Sequence, residues 1–213
     1  MGGGLARARL HDLWPASPGD RTAASGFALM LARLAAGTDG MVVYLTEEQA
    51  ERRWGALHGP GLVELGIDPA RLILVRVPDL TELLRVAGDV VRSPAIAAAV
   101  VAPARPHPRL DLTATRRLTL FAERSGVTAL MLGGMDPARP SASATRWLVA
   151  AAASQALEAD APGHPAFAVE LVRQRGGPPV AAQRLEWRRD DARFAPLPGA
   201  VPAVAGGGDV AVA

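Results

Sequence analysis

Apolar residues recur along this chain with two periods. Short continuous runs of strand length alternate with longer stretches whose apolar positions repeat at helical spacing, and glycine or proline separates most of them. The first run, Ala8 to Trp14, predicts a strand. Asp20 or Thr22 offers an N-cap for a helix reaching about Ala36, with Phe27, Met30, Leu31 and Leu34 on its inner face and Gly37 as terminator. Met41 to Leu45 is apolar throughout, as a strand covered on both faces should be. A short helix around Gly61 to Leu65 stops at Gly66, and Leu72 to Val75 gives the next strand. Asp79 followed by Glu82 reads as a capping box, with Leu83, Leu84, Ala87, Val90 and Val91 on one helical face behind it. Ile96 to Val101 is the most strand-like run. Asp111 then caps a helix that turns Leu118, Phe121 and Ala122 inward and ends at Gly126, before a strand at Thr128 to Leu132.

Strands alternating with helices of this length predict an α/β fold with a mostly parallel central sheet, flanked by helices through right-handed crossovers. From Thr145 the pattern changes. Segments 145–150, 166–172 and 182–187 read as strands without intervening helices, an antiparallel C-terminal edge. The alanine-rich 150–156 run also suits an extended helix, and composition does not decide it. Residues 1–195 form the expected single domain. After Pro196 the chain is proline, glycine, alanine and valine with almost no charge, which predicts a flexible tail over 196–213.

Composition removes several classes of chemistry. All 23 basic residues are arginine; set against 21 carboxylates they leave a net charge of +2. With no lysine, no cysteine and one tyrosine, little titrates between histidine and arginine, so the sequence pI near 10.2 does not signal a strongly basic protein. Zero cysteines exclude disulfides, thiolate zinc sites and cysteine nucleophiles. His11, His58, His107 and His164 are too scattered for a local ligand pair, so neither a metal nor another cofactor is expected. The N-terminus lacks a basic-then-apolar leader pattern, and the longest apolar stretch, Ala95 to Pro103, is too short to span a bilayer. A cytoplasmic protein is expected.

In a sheet of this kind the first ligand site lies at the turn after strand one. Here that turn reads Trp14-Pro-Ala-Ser-Pro-Gly-Asp-Arg-Thr-Ala-Ala-Ser-Gly26. A phosphate cradle needs glycines whose N–H groups converge, a lysine for the terminal phosphates and Ser/Thr for magnesium. This turn has Pro15 and Pro18, which remove donors, Asp20, which repels phosphate, and no lysine. Arg21 is the available cation, but its planar fork is a poor replacement for a compact ammonium. The strand ending at Val101 runs into Ala102-Pro103 where a magnesium-organising aspartate would stand. Glu47 and Glu48 follow a strand at the place of a water-activating carboxylate; with no phosphate or metal to act on, they read as a solvated turn. No enzyme is expected.

The order of segments resembles the RecA core without its Walker motifs. Gly4 to Trp14 resembles the stretch leading into the RecA P-loop, Gly66 to Val75 the segment before its next crossover helix, and Ala144-Thr-Arg-Trp147 the re-entry after the second DNA-binding loop. More closely, the chain resembles the ImuA family, RecA-like accessory proteins of SOS-induced mutagenesis. The residues that carry this are Ser25-Gly-Phe-Ala-Leu29, Pro60 to Arg76, Leu110-Asp-Leu-Thr-Ala-Thr-Arg-Arg-Leu118, Ser125 to Leu130 and Ser143-Ala-Thr-Arg-Trp147, with Glu170 to Gly177 and Leu185-Glu-Trp187 closing the pattern. The likeness spans about residues 4 to 190. It implies a non-enzymatic protein of translesion DNA synthesis that contacts an ImuB-type Y-family polymerase-like protein, RecA and an error-prone replicative-type polymerase. A RecA core assembles through an N-terminal extension; with the first strand so near residue 1, no filament by that route is expected. The runner-up resemblance is to SulA, the RecA-like division inhibitor of the SOS response, and a degenerate DNA-binding RecA paralogue is the remaining alternative.

Residues 100–150 carry seven arginines (Arg105, Arg109, Arg116, Arg117, Arg124, Arg139, Arg146) against Asp111, Glu123 and Asp136, a local +4 that leaves −2 for the rest. Among them Arg116, Arg117, Arg124 and Arg139 are the candidate nucleic-acid or partner contacts. The loops hold no stacking aromatics of the kind single-strand binders use, and a solvated helix face accounts for Arg116, Arg117 and Arg124 equally well. Trp54, in the polar Glu51-Arg-Arg-Trp-Gly stretch, is the aromatic expected to be exposed and a candidate partner contact. Trp147 and Trp187 are expected in the core or covering an edge of the sheet. Arg173, Arg175, Arg184, Arg188 and Arg189 are expected to pair across strands with Glu170, Glu186, Asp190 and Asp191.

Overall fold

Local capping chemistry sets the ends of several helices in the computed structural model, which describes residues 5–134 and 139–199. Strand β1 (Leu10–Pro15) leads into α1 (Arg21–Ala36), then β2 (Met41–Glu47), α2 (Glu48–Trp54), α3 (Gly59–Glu64), β3 (Leu72–Val77), α4 (Leu80–Arg92), β4 (Ile96–Ala102), α5 (Leu112–Ser125) and β5 (Thr128–Leu132). Four strands close the described chain: β6 (Thr145–Ala152), β7 (Ala166–Gln174), β8 (Val180–Arg188) and β9 (Arg193–Pro196). Asp79 accepts the Glu82 N–H at 3.0 Å and Asp111 the Ala114 N–H at 2.9 Å, so both expected caps form. The return half of the capping box does not, because the Glu82 carboxylate pairs with Arg85.

Nine strands form one sheet in the order β3-β2-β4-β5-β1-β6-β7-β8-β9. The first six positions of that order are joined in parallel, and β6–β7, β7–β8 and β8–β9 pair antiparallel. Segment 145–150 was expected in the antiparallel edge; it is parallel to β1 on one side and antiparallel to β7 on the other, which makes β6 the hinge between the two regimes. The alanine-rich run resolves as strand to Ala152, not as helix. Pro196, expected at the start of a tail, belongs to β9, and Leu197 beyond it is buried with its N–H on the Arg184 carbonyl. The rest of the expected tail, 200–213, lies outside the described residues.

The parallel strands bury both faces, as their continuous apolar runs require. Leu13, Val100, Leu130 and Trp147 point to the α1 side with Phe27, Met30 and Trp187, while Leu10, Val101 and Met131 point to the α4–α5 side with Leu83, Val91 and Leu118. Phe194 of the unforeseen β9 packs its ring 4.9 Å from those of Phe27 and Trp187, which fixes the antiparallel edge on α1. Among the described residues no helix is long and apolar enough to cross a membrane.

One strand carries an imidazole into this core. His11 is fully buried on β1; its Nε2 lies 2.8 Å from the Ala6 carbonyl and its Nδ1 2.7 Å from Thr145 Oγ1. A carbonyl only accepts, so Nε2 carries the proton and Nδ1 accepts from the threonine, which itself accepts the Trp147 indole N–H at 2.7 Å. Burial, the largest influence, lowers the His11 pKa from 6.5 to about 4. The folded state thus holds His11 neutral where the unfolded chain binds a proton. Stability from this group is complete above pH 6.5 and is lost as pH falls towards 4. At ~1.4 kcal/mol per unit, the loss is roughly 3 kcal/mol. Urea denaturation at pH 7 and pH 4.5 should show it, and His11→Asn should flatten that part of the pH dependence; an unchanged slope in the variant contradicts the assignment.

Candidate site at the carboxyl ends of the strands

The turn between β1 and α1 is tied inward by its polar groups. Asp20 stands at the N-cap position of α1 as expected, but its side chain makes no capping bond: its Oδ1 accepts the Ala151 N–H at 2.9 Å and its Oδ2 the Ser17 hydroxyl at 2.6 Å. The turn is thereby stapled to β6, with Ala16 N–H adding a bond to the Val149 carbonyl at 2.9 Å. Thr22 does not cap the helix either, which begins at Arg21.

Arg21 turns into the sheet. Its Nη1 donates to the Leu132 carbonyl at 3.0 Å and its Nη2 to the Pro103 carbonyl at 2.9 Å. The fork therefore bridges the ends of β5 and β4 from the first turn of α1. A β-carbon at Gly133 would stand 2.8 Å from Nη1, and Gly133 has φ +61°, so both space and backbone demand glycine there. Burial pushes the guanidinium below its ordinary range, with Tyr44 acting the other way. Burial likewise raises the Tyr44 phenol, opposed by its 3.0 Å bond to Ser25 and by Arg21.

The neighbouring strand ends are satisfied in the same fashion. Thr46 donates to the Ala102 carbonyl at 3.2 Å, and Glu47 accepts the Ala104 N–H at 2.9 Å. Glu47 is buried, so the expected solvated turn is corrected: its carboxylate anchors the segment after β4, while Glu48 opens α2 and pairs with Arg52 at 2.9 Å. The groups at Ala102, Pro103 and Ala104 are thus engaged by β2 and α1. The arrangement holds strand ends together with side chains of the chain itself.

A second polar cluster lies under the loop before β6. Asp12, buried at the centre of β1, takes the Ser143 hydroxyl on Oδ2 at 2.9 Å and the Arg146 guanidinium at 3.3 Å. Arg173 donates to the carbonyls of Ser141 and Ser143 at 2.9 Å each, and Arg146 to the carbonyl of Arg139 at 3.1 Å. Burial lowers the Arg173 pKa, with Arg146 adding to the effect. These bonds fix the path of residues 139–145. Asp12 went unnoticed in the sequence; the signal was a carboxylate beside His11 within a strand flanked by Leu10, Leu13 and Trp14.

The structure separates the candidate contact residues. Arg116, Arg117 and Arg124 lie exposed together on α5. Arg139 is exposed elsewhere, on the loop before β6, and donates to the Pro108 carbonyl at 3.3 Å, which links it to the loop after β4. Trp54 is not the exposed aromatic that was expected. It is half-buried at the end of α2, under the Arg53 guanidinium at 4.7 Å, and lines a cleft of about 420 Å³ with Ser25, Tyr44, Glu51 and His58. Trp147 and Trp187 are buried as expected. The late arginines depart from the expected cross-strand pairing. Arg188 pairs with Glu186 at 2.8 Å along its own strand and Arg189 with Asp190 at 3.4 Å, while Arg184 donates to the Ala153 and Pro198 carbonyls.

No family model matches the chain. Among curated proteins it is similar to Protein ImuA of Caulobacter vibrioides, in strain NA1000 / CB15N and in strain ATCC 19089 / CIP 103742 / CB 15. Each is 36% identical over 192 residues, which cover 84% of this chain and 75% of the relative. At that identity and coverage, the chain belongs to the ImuA family.

Proposed function

We propose that this chain is a non-catalytic accessory protein of SOS-induced translesion DNA synthesis, acting through contacts with an ImuB-type polymerase-like protein and with RecA. Membership of the ImuA family supports the mutagenesis role. The observation that carries the non-catalytic part is Arg21. In a nucleotide-binding turn, the cation and the backbone donors face the phosphates. Here the cation of the turn is spent on the Leu132 and Pro103 carbonyls, and Asp20 on Ser17 and the Ala151 amide. Pro15 and Pro18 withhold two further donors. What remains for function is surface.

Two measurements test this. Co-purification with the ImuB-type protein of the same genome should give a stable complex, and deleting the gene should abolish most damage-induced mutation. A chain that binds no polymerase component, or whose loss leaves induced mutation unchanged, sinks the reading. Calorimetric titration with ATP and Mg²⁺ should give no heat of binding; saturable micromolar binding would contradict the non-catalytic assignment.

A further inference from the structure

Helix α5 carries a solvent face whose charge the described residues leave unbalanced. At ~100° per residue, Leu112, Arg116, Leu120, Arg124 and Arg117 fall within an arc of about 140°. The stripe that packs inward, Thr115, Leu118, Thr119 and Ala122, lies on the other side. Leu112 is 42% exposed and Leu120 45%, with Arg116 midway between them in sequence.

Charge sets this face apart from its neighbour. On α4, Arg85 and Arg92 are matched by Glu82 and Asp89. On α5 the carboxylate of the same arc, Glu123, is taken by Arg9 of the segment before β1 at 3.0 Å. Arg116, Arg117 and Arg124 form no ion pair among the described residues. Arginine stems beside exposed leucines make an apolar strip rimmed by guanidinium groups. Arginine at the edge of an apolar contact is a composition that protein interfaces favour.

Resting on the reading of the chain as a contact protein, we infer that the outer face of α5 docks an acidic amphipathic helix of a protein partner. The partner's apolar side chains sit on Leu112 and Leu120, and its carboxylates meet Arg116, Arg117 and Arg124. Two helices crossing by ridges in grooves bring i and i+4 rows into contact, which is the spacing of Leu112, Arg116 and Leu120. Nucleic acid fits less well: phosphates use the arginines but leave both leucines in water, and the arc holds no aromatic on which a base can stack.

The experiment uses the full chain and a fluorescent 20-residue helical peptide with leucines at i and i+4 on one side, flanked by glutamates. The peptide should bind the native chain. R116E/R117E and L112S/L120S, both at exposed positions of α5, should each weaken binding at least tenfold while the chain keeps its cooperative unfolding transition. A sequence-scrambled peptide should bind no better than the weakened variants. No binding of the designed peptide, or binding that R116E/R117E removes and L112S/L120S leaves intact, overturns the proposal. So does an oligothymidine that displaces the peptide and depends on the same arginines. The ImuB-type protein supplies the separate arm. If it binds native and R116E/R117E chains equally, the docking face is wrong while the accessory role stands. If it binds neither and the peptide binds as described, the accessory reading falls and the docking face stands.

Discussion

Arg21→Ala is expected to lower the free energy of unfolding by about 4 kcal/mol. Two hydrogen bonds from a charged donor contribute about 1.5–3 kcal/mol each, and removing their donor leaves the Leu132 and Pro103 carbonyls without it in a buried place. The space vacated beside Gly133 and Pro15 adds a cavity cost. Arg21→Lys should recover only part of the loss, about half, because one ammonium presents its donors from a single point and is costlier to dehydrate than a guanidinium. Chemical denaturation of the three proteins at neutral pH checks this ordering. Neither variant should gain affinity for ATP with Mg²⁺, because Pro15, Pro18 and Asp20 remain in the turn. An alanine variant as stable as the native chain would show that the two carbonyl bonds hold nothing; one that binds nucleotide would show that Arg21 alone had closed the site.

The features legible in the sequence are those decided within a few residues. Asp79 and Asp111 cap because the amide they need is three positions on, and Ile96 to Val101 reads as a strand because both of its faces are apolar. Helix α2 was hidden for the converse reason. Seven residues, Glu48-Gln-Ala-Glu-Arg-Arg-Trp54, bury only Ala50 fully, so no apolar period marks them. The direction of β6 depends on β1, more than a hundred residues earlier in the chain, and no local pattern states it. The site failed in the same way. Arg21 was visible as a cation in the right turn, but its partners lie 82 and 111 residues away, and only the assembled sheet brings Pro103 and Leu132 to one point. On α5 the arginines were legible and the leucines beside them went unremarked, because only the helix placed on the sheet with Leu118 inward shows Leu112 and Leu120 on its exposed side.

Asp12→Ala is expected to cost about 4 kcal/mol, in the range of buried ion pairs that lose one partner. The carboxylate is 1% exposed, and without it the Arg146 guanidinium, the nearby charge of Arg173 and the Ser143 hydroxyl stay in a low-dielectric setting. Asp12→Asn keeps the shape and still loses most of that stability, since the charge and not the volume is what the arginine meets. Replacing the pair together, Asp12→Leu with Arg146→Met, should come back to within about 1 kcal/mol of the native chain, because two well-packed apolar side chains avoid the desolvation of both charges. Arg173 still has the Ser141 and Ser143 carbonyls to donate to in that protein. A denaturant double-mutant cycle measures the difference, and a pair variant no more stable than Asp12→Ala would refute the account. Hydrogen exchange separates the roles of the cluster: in Asp12→Ala the amides of Ala142 and Ser143, now bonded to Thr115 and Ser141 hydroxyls, should exchange faster than the global loss of stability dictates. Loosening confined to that loop makes Asp12 the anchor of residues 139–145, the segment that carries Arg139 to the surface.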